Sequence, residues 1–208
     1  MKIYLVRHGE TDWNKEKRIQ GRSDIALNEY GMYLARKTGE GLRDIPFSRC
    51  YTSPLIRAYE TARIILRGQD IPIIKDDRIV EMAFGEFEGL CLVERKNRAP
   101  ESFHNFTEHP EEFVPAIGGE TFLEIRNRTC NFLKELIENP KLQNEHILIT
   151  THGAALAAMV NVIKKEPLSK FWGTGVSKNC GVTLLEALGQ QVRIISENVI
   201  YYKEEQHV

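Results

Sequence analysis

Ile3-Tyr4-Leu5-Val6-Arg7-His8-Gly9 and His146-Ile147-Leu148-Ile149-Thr150-Thr151-His152-Gly153 are the two stretches on which the fold turns. Each holds a continuous apolar run rich in β-formers, the pattern of a strand covered on both faces. Such strands belong inside a largely parallel sheet with helices on either side. Each run leads into a histidine followed by glycine, so each delivers an imidazole to the carboxyl edge of the sheet, where open α/β sheets bind ligands. The glycine lets backbone approach a ligand closely.

Working outward, residues from His8 to Leu27 show no helical period, and Asn28 then offers an N-cap for a helix using Tyr30, Leu34, Thr38 and Leu42. That helix is expected to end near Asp44, before Pro46. Phe47 to Thr52 and Ile71 to Lys75 read as short strands. Ser53-Pro54 reads as an N-cap followed by proline at the first helical position, where its missing N–H costs nothing. The helix it opens runs to about Leu66, with Gly68 as its stop. Residues 76 to 118 are mixed in charge and broken by Pro100, Pro110, Pro115, Gly118 and Gly119. From Glu120, the positions Phe122, Ile125, Phe132, Leu133, Leu136 and Ile137 fit one face of a long helix ending before Pro140. Gly153 to Lys164 reads as an Ala-rich helix, and Val182 to Ala187 with Gln191 to Ser196 as a hairpin. The alternation predicts a three-layer α/β/α sandwich with a largely parallel central sheet. Residues 1–208 read as a single domain with 91–117 as a small cap insertion.

At 208 residues, with 28 Lys plus Arg against 29 Asp plus Glu, the chain is near neutral. A dedicated nucleic-acid binder needs a basic surplus to displace counterions, so that class is excluded. No stretch approaches the ~20 apolar residues that span a bilayer, and Met1 to Val6 is too short for a signal-peptide core. Cys50, Cys91, Cys130 and Cys180 form no CxxC pair and no compact disulfide framework. The expectation is a cytoplasmic protein with no membrane or nucleic-acid partner.

The chemistry gathers where the two His-Gly steps meet. Arg7 precedes His8, and Arg57 falls in the first turn of the helix after Ser53-Pro54. Two guanidiniums suit a phosphoryl group, because their fork matches its oxygens and stays charged. The helix opening at Gly153 is expected to point free N–H groups into the same pocket. Glu81, Glu86 and Glu88 supply carboxylates in the segment leaving the sheet, and one of them is a candidate general acid; Glu86 and Glu88 read as solvated.

Taken in order, these blocks resemble the histidine phosphatase superfamily, the group that includes cofactor-dependent phosphoglycerate mutases. Leu5-Val6-Arg7-His8-Gly9-Glu10-Thr11, extended by Trp13-Asn14, Ile19-Gln20-Gly21-Arg22-Ser23-Asp24 and Leu27-Asn28-Glu29-Tyr30-Gly31, is similar to its N-terminal signature. Ser53-Pro54-Leu55-Ile56-Arg57-Ala58-Tyr59-Glu60-Thr61-Ala62 resembles the second block, and Glu81-Met82-Ala83-Phe84-Gly85-Glu86-Phe87-Glu88-Gly89 the third. Gly118-Gly119-Glu120-Thr121 and Thr151-His152-Gly153 resemble the last two. The resemblance implies a phosphomonoesterase with His8 as nucleophile, Glu81 as general acid and base, and no metal or cofactor. It also implies phosphoryl contacts from Arg7, Asn14, Gln20, Gly21, Arg57, His152 and Gly153. On this reading the backbone carbonyl of Gly9 or a neighbour holds the other His8 nitrogen, and Met82, Ala83 and Phe84 give Glu81 an apolar setting. The implied partner is a small phosphorylated metabolite, and a homodimer through an edge strand is compatible with the fold.

Three other readings compete. A phosphoglycerate mutase would carry Glu-Arg in the third block, where this chain has Glu81-Met82; the Phe84-to-Gly89 run instead resembles the phosphatase branches, including broad-specificity bacterial phosphatases and α-ribazole phosphatase. A phosphoester-binding pseudoenzyme would have lost one of Arg7, His8, Arg57, Glu81 or His152. A metallohydrolase using His8, Glu10 and His152 would have to place a cation beside two guanidiniums. The cap holds Arg95, Lys96, Arg98, His104 and His109 among Glu94, Glu101, Glu108, Glu111 and Glu112. Phe103, Phe106 and Phe113 are interleaved as anchors. A basic cap residue is a candidate for binding a second anionic group.

Overall fold

The computed structural model describes residues 1–91 and 105–203. Six strands, β1 (Lys2–Arg7), β2 (Phe47–Thr52), β3 (Ile73–Lys75), β4 (His146–Thr151), β5 (Val182–Leu188) and β6 (Gln191–Val199), form one sheet in the order β3-β2-β4-β1-β5-β6. The first four are mutually parallel, while β5 runs antiparallel to β1 and β6 to β5. The helices are α1 (Asp12–Lys15), α2 (Glu29–Leu42), α3 (Ile56–Ile65), α4 (Asn105–Glu108), α5 (Phe122–Glu138) and α6 (Gly153–Lys164).

Side-chain alternation along the buried strands builds the three layers. Ile3, Leu5, Ile147 and Ile149 pack with Phe132, Leu133 and Leu136 of α5 and with Leu156 and Met159 of α6. Tyr4, Val6 and Leu148 face the other way, onto Leu42 of α2 and onto Ala62 and Ile65 of α3. The expected α/β/α sandwich is therefore present. Among the described residues no helix is long and apolar enough to cross a membrane.

Local departures from the expected elements have physical reasons. Residues 8 to 27 contain one short helix after all, α1, because Thr11 and Asn14 form a reciprocal capping box. Asn28 caps α2 as expected, its side chain accepting the Gly31 N–H at 2.7 Å. Ser53 is not the cap of α3: the helix starts at Ile56, whose N–H goes to Asp24 Oδ1 at 2.7 Å, and the Ser53 hydroxyl is engaged elsewhere. The long helix starts at Phe122, closed by a Thr121 and Glu124 capping box.

The cap expectation is covered only in part. Glu94, Arg95, Lys96, Arg98, Glu101, Phe103 and His104 lie outside the described residues. From Asn105 onward the segment is pinned by aromatics: Phe106 and Phe113 each lie within van der Waals reach of Phe122, at ring separations of 5.2 and 5.3 Å.

Candidate active site

Sheet register brings the site together. Arg7 at the end of β1 pairs with Thr151 at the end of β4, and Thr150 of β4 pairs with Thr52 at the end of β2. The next residues along these three adjacent parallel strands are His8, His152 and Ser53, so register alone sets them side by side. The two imidazole centroids are 5.2 Å apart.

His8 is buried, and its Nδ1 lies 2.7 Å from the Gly9 carbonyl. A carbonyl only accepts, so Nδ1 carries the proton and Nε2 keeps its lone pair. Burial, with Arg57 and Arg7 adding to it, holds His8 well below the usual histidine range, against the opposing pull of the Gly9 bond. The ring is neutral at pH 7. The Gly9 N–H reaches Thr61 Oγ1 at 2.9 Å, and the Asn179 amide donates to the His8 carbonyl at 2.9 Å. Gly9 also lies against Gly31 of α2, where a Cβ on Gly31 would meet the Glu10 carbonyl oxygen at 2.0 Å.

Arg57 is buried and Arg7 half-buried, and both predicted guanidiniums are aimed by backbone carbonyls. Arg57 donates to Ser23 at 2.7 Å and to Gly21 at 2.7 Å, and Arg7 to Ser177 at 2.6 Å. Among the described residues the Nε atoms of both are buried without a partner. Burial lowers Arg57 to about 10, with Glu81 and Asp24 opposing, and lowers Arg7 in the same direction; both stay cationic at neutral pH. Two desolvated cations with unspent donors make a prepared site for an anion.

Glu81 meets a different setting from the apolar one expected. Met82 is buried in the core, but Glu81 Oε1 accepts from the N–H groups of Met82, Ala154 and Ala155 at 2.9, 3.1 and 3.2 Å. The α6 N-terminus thus holds the carboxylate, and its Ala154 and Ala155 N–H groups are not free for phosphate. Oε2 accepts only a longer bond from Ala154, 3.3 Å, and lies beside Gly153 together with Arg7 Nε. The backbone bearing Glu81 is clamped by Arg128, which donates to the carbonyls of Arg78, Val80 and Glu81 and pairs bidentately with Glu120 at 2.6 and 2.8 Å.

A cavity of about 310 Å³ opens over these groups. Arg7, His8, Asn14, Gln20, Gly21, Arg57, Glu81 and Gly153 line it; His152 does not, lying fully buried behind His8. His152 Nε2 is 2.7 Å from Ser53 Oγ, and its Nδ1 is buried without a partner among the described residues. Burial, then the charge of Arg57, holds this ring well below the usual histidine range as well. Glu86 is exposed, as expected of a solvated side chain. Glu88 is not solvated: its two oxygens accept from Arg22 N, Phe84 N, Ser23 N and Ser23 Oγ, fixing the loop whose carbonyls hold Arg57. Glu10 lines a separate groove and bonds Asn28 Nδ2 at 3.0 Å.

Residues 3–200 match the sequence profile of the histidine phosphatase superfamily, branch 1. The chain belongs to that superfamily. As a histidine phosphatase superfamily member it is 34% identical to phosphoserine phosphatase 1 of Hydrogenobacter thermophilus, over 84% of this chain and 82% of the relative. It is 38% identical to the uncharacterized phosphatase PhoE of Bacillus subtilis, over 77% and 76% of the two chains. A solved structure of Bacillus stearothermophilus YhfR superposes with a TM-score of 0.90 at 33% identity, covering 96% of this chain and 98% of that one.

Several groups that shape the superfamily site in this chain escaped sequence reasoning. Ser177 and Asn179 sit in a polar loop with no distinguishing pattern, and Trp172 and Val176 reach the cavity from a segment far from Phe106 in sequence. Arg128 carries no local signal; only its spacing of two turns from Glu120 could have paired them.

Proposed function

We propose that the chain is a phosphomonoesterase that works through a phosphohistidine at His8. One observation carries this reading: a neutral imidazole whose free nitrogen faces a cavity walled by two guanidiniums, each with an Nε that has no partner among the described residues. His8 Nε2 forms the N–P bond as the P–O bond to the alcohol breaks, and the bonding pair leaves with the alcohol oxygen. Arg7 and Arg57 neutralise charge on the equatorial oxygens, the main demand of phosphoryl transfer. Ser53 Oγ accepts the Leu55 N–H at 3.3 Å, and in the proposed arrangement its own proton is donated to His152 Nε2. His152 is then protonated at Nδ1 and, packed behind His8 at 5.2 Å between ring centroids, positions the His8 ring rather than touching the phosphoryl group. Glu81 Oε2 gives its proton to the departing alkoxide. Water then attacks phosphorus, Glu81 takes its proton, and the N–P pair returns to Nε2 as inorganic phosphate leaves.

Asn14, Gln20, Gly21 and Gly153 complete the phosphoryl pocket. The described part of 91–117 serves as a cap, and substrates are small phosphorylated metabolites. Cytoplasmic residence fits four unpaired cysteines. The phosphatase reading is favoured over a mutase because Met82, standing where the mutase block has arginine, is buried in the core. Phosphate release across a panel of phosphomonoesters, beside a mutase assay on 3-phosphoglycerate, tests the proposal for wild type and His8→Ala. Hydrolysis that vanishes in His8→Ala, with mutase turnover negligible, is expected; undiminished turnover in that variant defeats it.

A further inference from the structure

The same cavity that holds Arg7, His8 and Arg57 is also lined by Ile19, Phe84, Phe106, Trp172 and Val176. Three of these form one continuous aromatic wall, with Phe84 to Phe106 at 5.3 Å and Phe106 to Trp172 at 5.1 Å between ring centroids. The Trp172 indole N–H is spent on the Phe106 carbonyl at 2.7 Å, so the indole's polar edge is satisfied within the protein. What it offers a ligand is ring surface.

This wall lies where the alcohol must go. In-line displacement sends the leaving oxygen away from His8 toward Glu81, and Phe84 follows Glu81 by three residues. Val176 packs beside Gly153, the residue flanked by Glu81 Oε2 and Arg7 Nε. An alcohol protonated by Glu81 therefore extends over Phe84 and Val176. Charge narrows the choice further. Among the described lining residues Glu81 is the single carboxylate, and the other charged groups are Arg7, Lys17, Arg18 and Arg57. An α-ammonium group finds no acidic partner there besides Glu81, which the leaving oxygen occupies. A polyol finds only Asn14 and Gln20 as uncharged polar side chains, so most of its hydroxyls would be dehydrated against rings without replacement bonds.

We propose that this phosphatase selects phosphomonoesters of alcohols bearing an apolar ring, in preference to aminoacyl or polyol phosphates, with Phe84 and Trp172 as specificity-determining residues. The proposal rests on the phosphomonoesterase reading and deepens it.

The test compares kcat/KM for 2-phenylethyl phosphate, glycerol 3-phosphate and O-phosphoserine, all primary alkyl esters that ask similar chemistry of Glu81. The ring-bearing ester is expected to lead the other two by about tenfold to a hundredfold, the discrimination one buried ring supplies. Phe84→Ala should shrink that lead to within about threefold, while Phe84→Leu, which keeps apolar volume, should retain most of it. A ratio within one preparation is independent of how much of a variant folds. Equal kcat/KM on all three esters in wild type, or a lead untouched by Phe84→Ala, overturns the proposal and leaves the phosphatase reading standing. Absence of His8-dependent turnover on any ester defeats both.

Discussion

The phosphate-facing part of the cavity and its aromatic wall are built in opposite ways. His8, His152 and Ser53 follow directly from the ends of three adjacent parallel strands, and backbone carbonyls or N–H groups fix the side chains of His8, Arg7, Arg57 and Glu81. The wall is assembled from Phe84 just before a 3₁₀ segment, Phe106 in a one-turn helix and Trp172 after another 3₁₀ segment, joined to one another by ring packing and one indole bond. On the proposed reading, chemistry is placed on rigid elements and substrate choice on loops, which lets one change without disturbing the other.

That contrast breaks most visibly at Glu81. Glu81→Gln keeps an oxygen for the Ala154 and Ala155 N–H groups but has no proton to give. It should slow alkyl phosphate hydrolysis by about 10²–10⁴-fold, the usual worth of general acid catalysis. Aryl phosphates, whose leaving groups need no proton, should lose far less; equal losses on both would remove Glu81 as the acid. A smaller effect is expected at Ser53. Ser53→Ala should lower kcat/KM by about tenfold by releasing the His152 tautomer. ¹⁵N shifts should report a proton on Nδ1 of His152 in wild type and a mixture in the variant. A wild-type ring already protonated at Nε2 would contradict the assignment.

The buried imidazoles also give a pH signature. Both titrate well below the unfolded histidine value near 6.5. The unfolded chain therefore binds protons that the folded chain refuses as pH falls below about 6.5, and stability falls with it. Thermal midpoints should drop from pH 7.5 to 5.5, with a shallower slope in His152→Gln. The smallest effect belongs to the wall: Trp172→Phe removes the donor to the Phe106 carbonyl but keeps a ring, and should cost about threefold or less in kcat/KM for ring-bearing esters, against little change in catalysis of small ones.

The same contrast explains what could be read from sequence. Arg7, His8 and His152 were legible because buried parallel strands announce themselves as apolar runs and their next residues fall at the sheet edge. Adjacency offered the carbonyl of Gly9 or a neighbour as partner for His8, and the structure selects Gly9. Ser53 was misread as a helix cap because its partner, His152, lies 99 positions away and hydroxyl bonding at that range leaves no local trace. The N–H groups at the helix start near Gly153 were expected in the phosphate pocket for a similar reason: a helix start signals an anion site, but which anion takes it is decided by the path of residues 79 to 81. Thr151 Oγ1 holds that path at the Ile79 carbonyl, 2.7 Å, and Arg128 clamps it further along. The aromatic wall had no periodicity to betray it, since its members come from three unrelated segments.

The central claim is that the unprotonated Nε2 of His8 takes the phosphoryl group. Alkaline rapid quench of the enzyme with a ³²P-labelled alkyl phosphate, followed by peptide mapping under conditions that preserve phosphohistidine, tests it directly. The account predicts label on the His8 peptide, bonded at Nε2, appearing and decaying at rates consistent with turnover and absent from His8→Ala. Label on another residue, or steady turnover by His8→Ala, would contradict it.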